Sequence, residues 1–177
     1  MAVDPSTFVL PILHYPDARL AEVCEDAIPG PEMVALLARM LVTIGPRPDS
    51  HGRWIGLGLA APQVGCSVRA IVVHDASTGV AWAMINPRIV SRSGTTTTEH
   101  EECLSCPGVS VPVKRSWSVR VEGSTAVGEP MSAAVSGAVA RTFQHEIDHL
   151  SGVTLATRTP PRTKRRLNHA PPERQLP

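Results

Sequence analysis

Between Ser132 and Leu150 the apolar residues Val135, Ala138, Val139, Phe143, Ile147 and Leu150 recur at helical spacing, and the same stretch contains His145-Glu146-Ile147-Asp148-His149. This overlap constrains the fold more than any other feature of the chain. An apolar stripe must bury itself against something, and His145 and His149, four residues apart, share one helix face. A helix with both an apolar stripe and a polar functional strip needs other elements packed around it. Ser151-Gly152 supplies a C-terminal stop. One long helix over 132–150 is the expectation.

Pro31-Glu32 opens a second helical pattern, carried by Met33, Leu36, Leu37, Met40 and Leu41, which stops near Gly45-Pro46. Residues 8–15 read as a short strand or extended arm closed by the turn signal Tyr15-Pro16-Asp17. Strands are expected at 69–74, 80–85, 95–104 and 117–122, with Pro107-Gly108 and Pro112 as edges or turns and 123–130 as a loop. Gly56 to Gln63 is too rich in glycine for a helix interior. The expected class is α+β, with short antiparallel β-sheets packed around a central helix that carries the H-E-x-x-H motif. Three Trp, one Tyr and two Phe are too few to build a core, so aliphatic residues must supply it.

The 177 residues suit one domain, expected over 1–158, and residues 159–177 form a basic, Pro-rich tail without periodicity, read as disordered. Six basic residues and one glutamate from Arg158 onward leave a mildly acidic body inside a net charge of +1. That distribution excludes a strongly basic DNA binder. No apolar run is long enough to span a membrane, and Met1-Ala2-Val3-Asp4-Pro5 has no basic export n-region, so the expected location is cytoplasmic.

The chemistry-bearing pattern leaves several readings open. Two histidines on one helix face can converge on a metal, with Glu146 at the edge of that face as a proton acceptor; they can also be histidines favoured near a helix C-terminus. A catalytic metal usually takes three protein ligands. Downstream there are His169 and Glu173, where a zincin-type protease would look for its third; upstream there is Cys103, which could equally be a buried thiol. Cys103-x-x-Cys106 is formally a redox pair or half a zinc site, but it lacks a second C-x-x-C, and Pro107-Gly108 breaks the chain where a thioredoxin-like helix would follow.

Three segments together settle on one likeness. Gly56-Leu57-Gly58-Leu59-Ala60-Ala61-Pro62-Gln63, Glu101-Glu102-Cys103-Leu104-Ser105 and Gln144-His145-Glu146-Ile147-Asp148-His149-Leu150 resemble, in order and spacing, the peptide deformylases. The resemblance covers about residues 8–158. It implies an enzyme that removes the formyl group from the formyl-methionine of newly made proteins. It also implies one divalent metal ion, iron(II), with zinc or nickel as substitutes. By this resemblance Cys103, His145 and His149 hold the metal, Glu146 is general base and acid, and the Gln63 side chain and Leu104 backbone N–H donate to the oxyanion. Gly56 and Gly58 give a peptide close access, and Leu57, Ala138, Arg141 and Thr142 border the methionine side chain. Arg141 could instead turn outward to a carboxylate.

Two features depart from the family pattern. Glu102 stands where glycine is usual, which leaves a non-catalytic or weakly active peptide- or ribosome-binding member as an alternative. The loop from Gly45 to Ile55 is unusually long. The basic tail offers a contact to ribosomal RNA, since attraction to phosphate needs no fold.

Overall fold

The computed structural model describes residues 9–45 and 56–158. Pro31 at the first turn, with its missing N–H and preset φ, starts helix α1 (Pro31–Ile44), which turns Leu37, Met40 and Ile44 inward. Three short elements follow: β1 (Gly58–Ala60), a 3-10 turn over Ala61–Val64, and β2 (Ala70–His74). Next come β3 (Ala81–Arg92), β4 (Thr96–Glu102), β5 (Ser110–Ser116), β6 (Ser118–Ser124) and β7 (Pro130–Ser136). Helix α2 (Gly137–His149) and the single turn α3 (Leu155–Arg158) complete the described chain.

All pairings between these strands are antiparallel. One sheet runs in the order β1-β2-β3-β6-β7, and β4 and β5 form a separate hairpin. Strand β2 explains the layering. Every residue of it is buried, and because side chains alternate along a strand, it feeds two cores. Ile71 and Val73 pack with Met84, Val121, Ala140, Phe143 and Leu150 on the α2 side. Ala70 and Val72 pack with Leu37, Met40, Ile44 and Leu59 on the α1 side. Trp82 meets Phe143 edge-on, with ring centroids 5.6 Å apart. Full burial of side chains this size contributes about 1.5–3 kcal/mol each, so α2 is held mainly through this face. Among the described residues no helix is long and apolar enough to cross a membrane.

The α+β architecture around a motif-bearing helix is as expected, but several elements differ. The predicted helix over 132–150 begins instead at Gly137. Residues Ser118–Ser124 pair with Pro130–Ser136 in unbroken register, so 132–136 is strand. Gly137 then adopts φ +60°, a conformation a side chain disfavours, and turns the chain sharply into α2. Strand β3 runs to Arg92, well past the expected end at residue 85, because it leaves β2 and continues along β6 through irregular register. Asn86 sits at that exchange with φ 51°, its side chain clamping both backbone groups of Ala27. Pro112, read as a turn or edge marker, lies inside β5; both strands of a two-stranded hairpin are edges, the place where a sheet tolerates proline. Residues 9–14 form no strand within a sheet, but Leu13 and Tyr15 donate backbone bonds to Gln63 and Ser105, so the extended arm crosses both motif segments. The greater part of the long loop, residues 46–55, and the tail 159–177 lie outside the described residues.

Candidate metal centre and substrate cleft

Helical spacing places His145 and His149 one turn apart on α2, with ring centroids 5.0 Å apart. Cys103 follows the end of β4, where the chain turns back. The three side chains are buried, and their ligand atoms all lie within 4.8 Å of one another. Cys103 Sγ is 3.4 Å from His149 Nε2. Burial holds the His149 imidazole neutral, its pKa pushed down to about 3, which is the form that ligates metals. The Cys103 thiol is pushed well above its ordinary range by its hydrogen bond with Cys106 and by burial.

His145 has a different environment. Its Nδ1 lies 3.0 Å from Glu101 Oε2, so its Nε2 is the atom left to face the cluster. Burial works against a charge on His145, but the hydrogen bond to Glu101 and the charges of Glu146 and Glu101 outweigh it, and its pKa is raised. Glu101 in turn accepts from Arg115 Nε and Nη2 at 2.8 and 2.9 Å and from Arg141 Nη1 at 2.8 Å. Burial opposes its charge too, yet the bonds from Arg115 and His145 hold it well below the usual carboxylate range. Arg115 also pairs with Asp148, whose Oδ2 takes Arg158 at 2.8 Å.

Glu146 is 4% exposed, and burial pushes its pKa up to about 7 against the pull of His145 and Arg115. Its Oε2, like His149 Nδ1, is buried without a hydrogen-bond partner among the described residues. A carboxylate oxygen left unmatched beside three converging donors fits a group that binds a cation and a reacting water. Gln63 is buried with its amide oriented: Oε1 accepts from Ala60 N–H at 2.8 Å, while Nε2 points toward Cys103 Sγ at 3.5 Å and Ser105 Oγ at 3.2 Å. The donor end therefore faces the cluster.

These groups open into a cavity of about 790 Å³. Gly56, Leu57, Gly58, Gln63, Cys103, Leu104, His145 and Glu146 line it, together with Ala138, Arg141 and Thr142 from one face of α2. His149, 1% exposed, lies behind this lining. Gly58 is needed for close approach: a Cβ there would lie 2.5 Å from Glu146 Oε1 and 2.7 Å from Thr142 Cγ2. Arg141 borders the cavity, but its guanidinium is bound to the buried Glu101, Val113 O and Thr97, and its Nε lies 3.4 Å from the half-exposed Glu99, so it turns to carboxylates on both its buried and its outer side. Glu102 is exposed on the rim, paired in register with Ser110 and without the positive φ that would require glycine.

The reading of the sequence missed Glu101, Arg115 and Asp148 as site residues. A signal was present. Val111, Val113 and Arg115 share the buried face of β5, and an arginine in a row of buried valines needs an equally buried carboxylate.

A buried Cys/His/His group beside a glutamate with one unpartnered oxygen, at the head of a glycine-lined cleft, fits the site of a single-metal hydrolase. Comparison with known proteins specifies the family. The sequence model of the polypeptide deformylase family matches residues 9–165. A peptide deformylase of Desulforudis audaxviator is 40% identical over 150 residues, 85% of this chain and 93% of its own length. Peptide deformylase 2 of Streptomyces coelicolor is 38% identical over 89% of this chain and 82% of its own. Among solved structures, a Legionella pneumophila peptide deformylase superposes with a TM-score of 0.79 at 31% identity, covering 90% of this chain and 91% of that one. An Ehrlichia chaffeensis peptide deformylase in complex with actinonin gives 0.81 at 29% identity, covering 90% and 93%.

The chain belongs to the peptide deformylase family, hydrolases that remove the N-formyl group from nascent peptides. Neither a zincin-type protease nor a non-catalytic binding protein is favoured by these matches.

Proposed function

We propose that Cys103, His145 and His149 hold one divalent ion, iron(II) by the family resemblance with zinc or nickel as substitutes, and that Glu146 moves the proton of the reaction. The observation that carries this is the convergence of three ligand atoms within 4.8 Å beside a buried, unpartnered Glu146 oxygen. Bound there, the ion supplies Lewis acidity toward the formyl carbonyl and the attacking water. Glu146, with a pKa near neutrality, accepts the water proton and returns it to the departing nitrogen as the C–N bond breaks, which leaves formate and a free methionine amine. Gln63 Nε2 and the Leu104 N–H donate to the oxygen that becomes negative in between.

The peptide lies along β1, an edge strand of its sheet, where Gly56 and Gly58 leave room for another backbone. Leu57, Ala138 and Thr142 border its methionine. The stem of Arg141 joins them, because its charge is already met by Glu101. The protein works in the cytoplasm, and its basic tail has a sequence-independent attraction to ribosomal phosphates. The test is formate release from formyl-Met-Ala-Ser by iron-loaded protein prepared without oxygen. Full metal occupancy with no formate released overturns the assignment.

A further inference from the structure

Deformylation gives no role to Cys106, although the C-x-x-C spacing places it at the edge of the metal centre. The Cys106 N–H donates to the Cys103 carbonyl at 2.8 Å, closing a β-turn with a cysteine at each end. Such a turn brings the terminal Cα atoms within about 7 Å, overlapping the ~4.4–6.8 Å over which a disulfide closes without backbone movement. Both side chains are buried, yet both line the substrate cavity, so a small molecule reaches them by the same mouth as the substrate. The other two cysteines are placed differently: Cys24 packs in the core beneath α2 and Cys66 against the α1-side core, and neither lines the cavity.

We propose that Cys103 and Cys106 form an oxidation site at which a hydroperoxide closes a reversible intramolecular disulfide, and that this bond and the metal ion compete for the Cys103 sulfur. The second half rests on Cys103 being a metal ligand. One sulfur attacks the outer peroxide oxygen; the O–O bond breaks, an alcohol or water leaves, and a sulfenic acid forms. The second sulfur attacks the sulfenic sulfur; the S–S bond forms and water leaves. The two thiols lose two electrons and two protons in all, and the peroxide is reduced. A sulfur held in a disulfide has no thiolate to offer a metal. Cys106 thereby also protects its neighbour, because a sulfenic acid with no thiol beside it goes on to irreversible sulfinic acid.

The experiment treats the metal-loaded full chain, and the same chain after chelation, with hydrogen peroxide, alkylates free thiols, and reads intact mass, linked peptides and bound metal. The parent protein should lose two hydrogens, yield a linked Cys103–Cys106 peptide, release its metal, and regain it after dithiothreitol and fresh metal. Cys106→Ser should instead gain oxygen atoms at Cys103 and fail to recover with dithiothreitol. If that variant does not fold, the mass of the parent decides alone. Sulfinic acid on Cys103 with Cys106 still free, or two free thiols after treatment, overturns the proposal. A disulfide that forms in a protein whose Cys103→Ala variant binds metal as tightly as the parent would overturn the ligand assignment while leaving the oxidation site standing.

Discussion

His145 Nδ1 lies 3.0 Å from Glu101 Oε2, and the same carboxylate carries two bonds from Arg115 and one from Arg141. One side chain therefore sets the tautomer of a candidate ligand and gives both arginines a shared buried counter-charge, with Asp148 the second partner of Arg115 and Glu99 that of Arg141. Replacing it by an amide of equal size keeps the shape but presents an N–H₂ where only acceptors are tolerated. Glu101→Gln should weaken metal binding about 10–100-fold. It should also lower unfolding stability by about 3–5 kcal/mol, because Arg115 and Arg141 lose a buried counter-charge. Metal titration and urea unfolding measure the two effects; an unchanged affinity would remove Glu101 from any positioning role.

Glu146→Ala leaves all three candidate ligands in place and removes the proton carrier. Metal content by elemental analysis should stay near one per chain while kcat drops about 10²–10⁴-fold. Parental turnover in the metal-loaded variant would mean that another group moves the proton.

Gly58→Ala introduces a Cβ at 2.5 Å from Glu146 Oε1 and 2.7 Å from Thr142 Cγ2. The cheapest relief is to push the Glu146 side chain aside. Overpacking of this kind costs about 1–3 kcal/mol, and here it should appear in kcat/KM as a loss of tenfold or more with metal content unchanged.

Glu102→Gly should change kcat/KM for a formyl-Met peptide by less than about tenfold, or ~1.4 kcal/mol. The side chain is exposed on the rim and its backbone is ordinary strand. A hundredfold gain in the variant would show that the carboxylate obstructs the cleft.

Asp75, in the turn between β2 and β3, is held down to about 2 by hydrogen bonds from the Ser77 and Thr78 side chains and the Ser77 backbone. Its ordinary value is 3.8, so the turn gains stability above that pH and loses it as the pH falls toward 2. The carboxyl titration followed by NMR should shift upward in Ser77→Ala, which removes the largest contribution.

The 132–136 segment shows where periodicity misleads. Met131, Ala133 and Val135 alternate with exposed Ser132, Ala134 and Ser136, a period-two pattern only six residues long. Val135, Ala138 and Val139 happen to fall also at helical spacing, and the longer pattern absorbs the shorter one. Pairing with β6 decides the matter: the two strands are neighbours in sequence and form a hairpin, but the helical spacing that runs on into α2 masks the shorter alternation.

What the sequence determined by itself is whatever depends on nearest neighbours and regular spacing. Pro31 starts α1, His145 and His149 share a face of α2, and Ala138, Arg141 and Thr142 follow them along it because 3.6 residues make a turn. The three motif segments were likewise sufficient to point to the family. Only tertiary structure brings Cys103 to His149 and turns the Gln63 amide toward them, since these contacts join segments 40 residues or more apart. It alone encloses Glu101, Arg115 and Asp148 in one charge network. A buried charge takes its partner from whatever the packing of separate elements brings within reach, and a linear pattern of residue types does not encode which elements will meet.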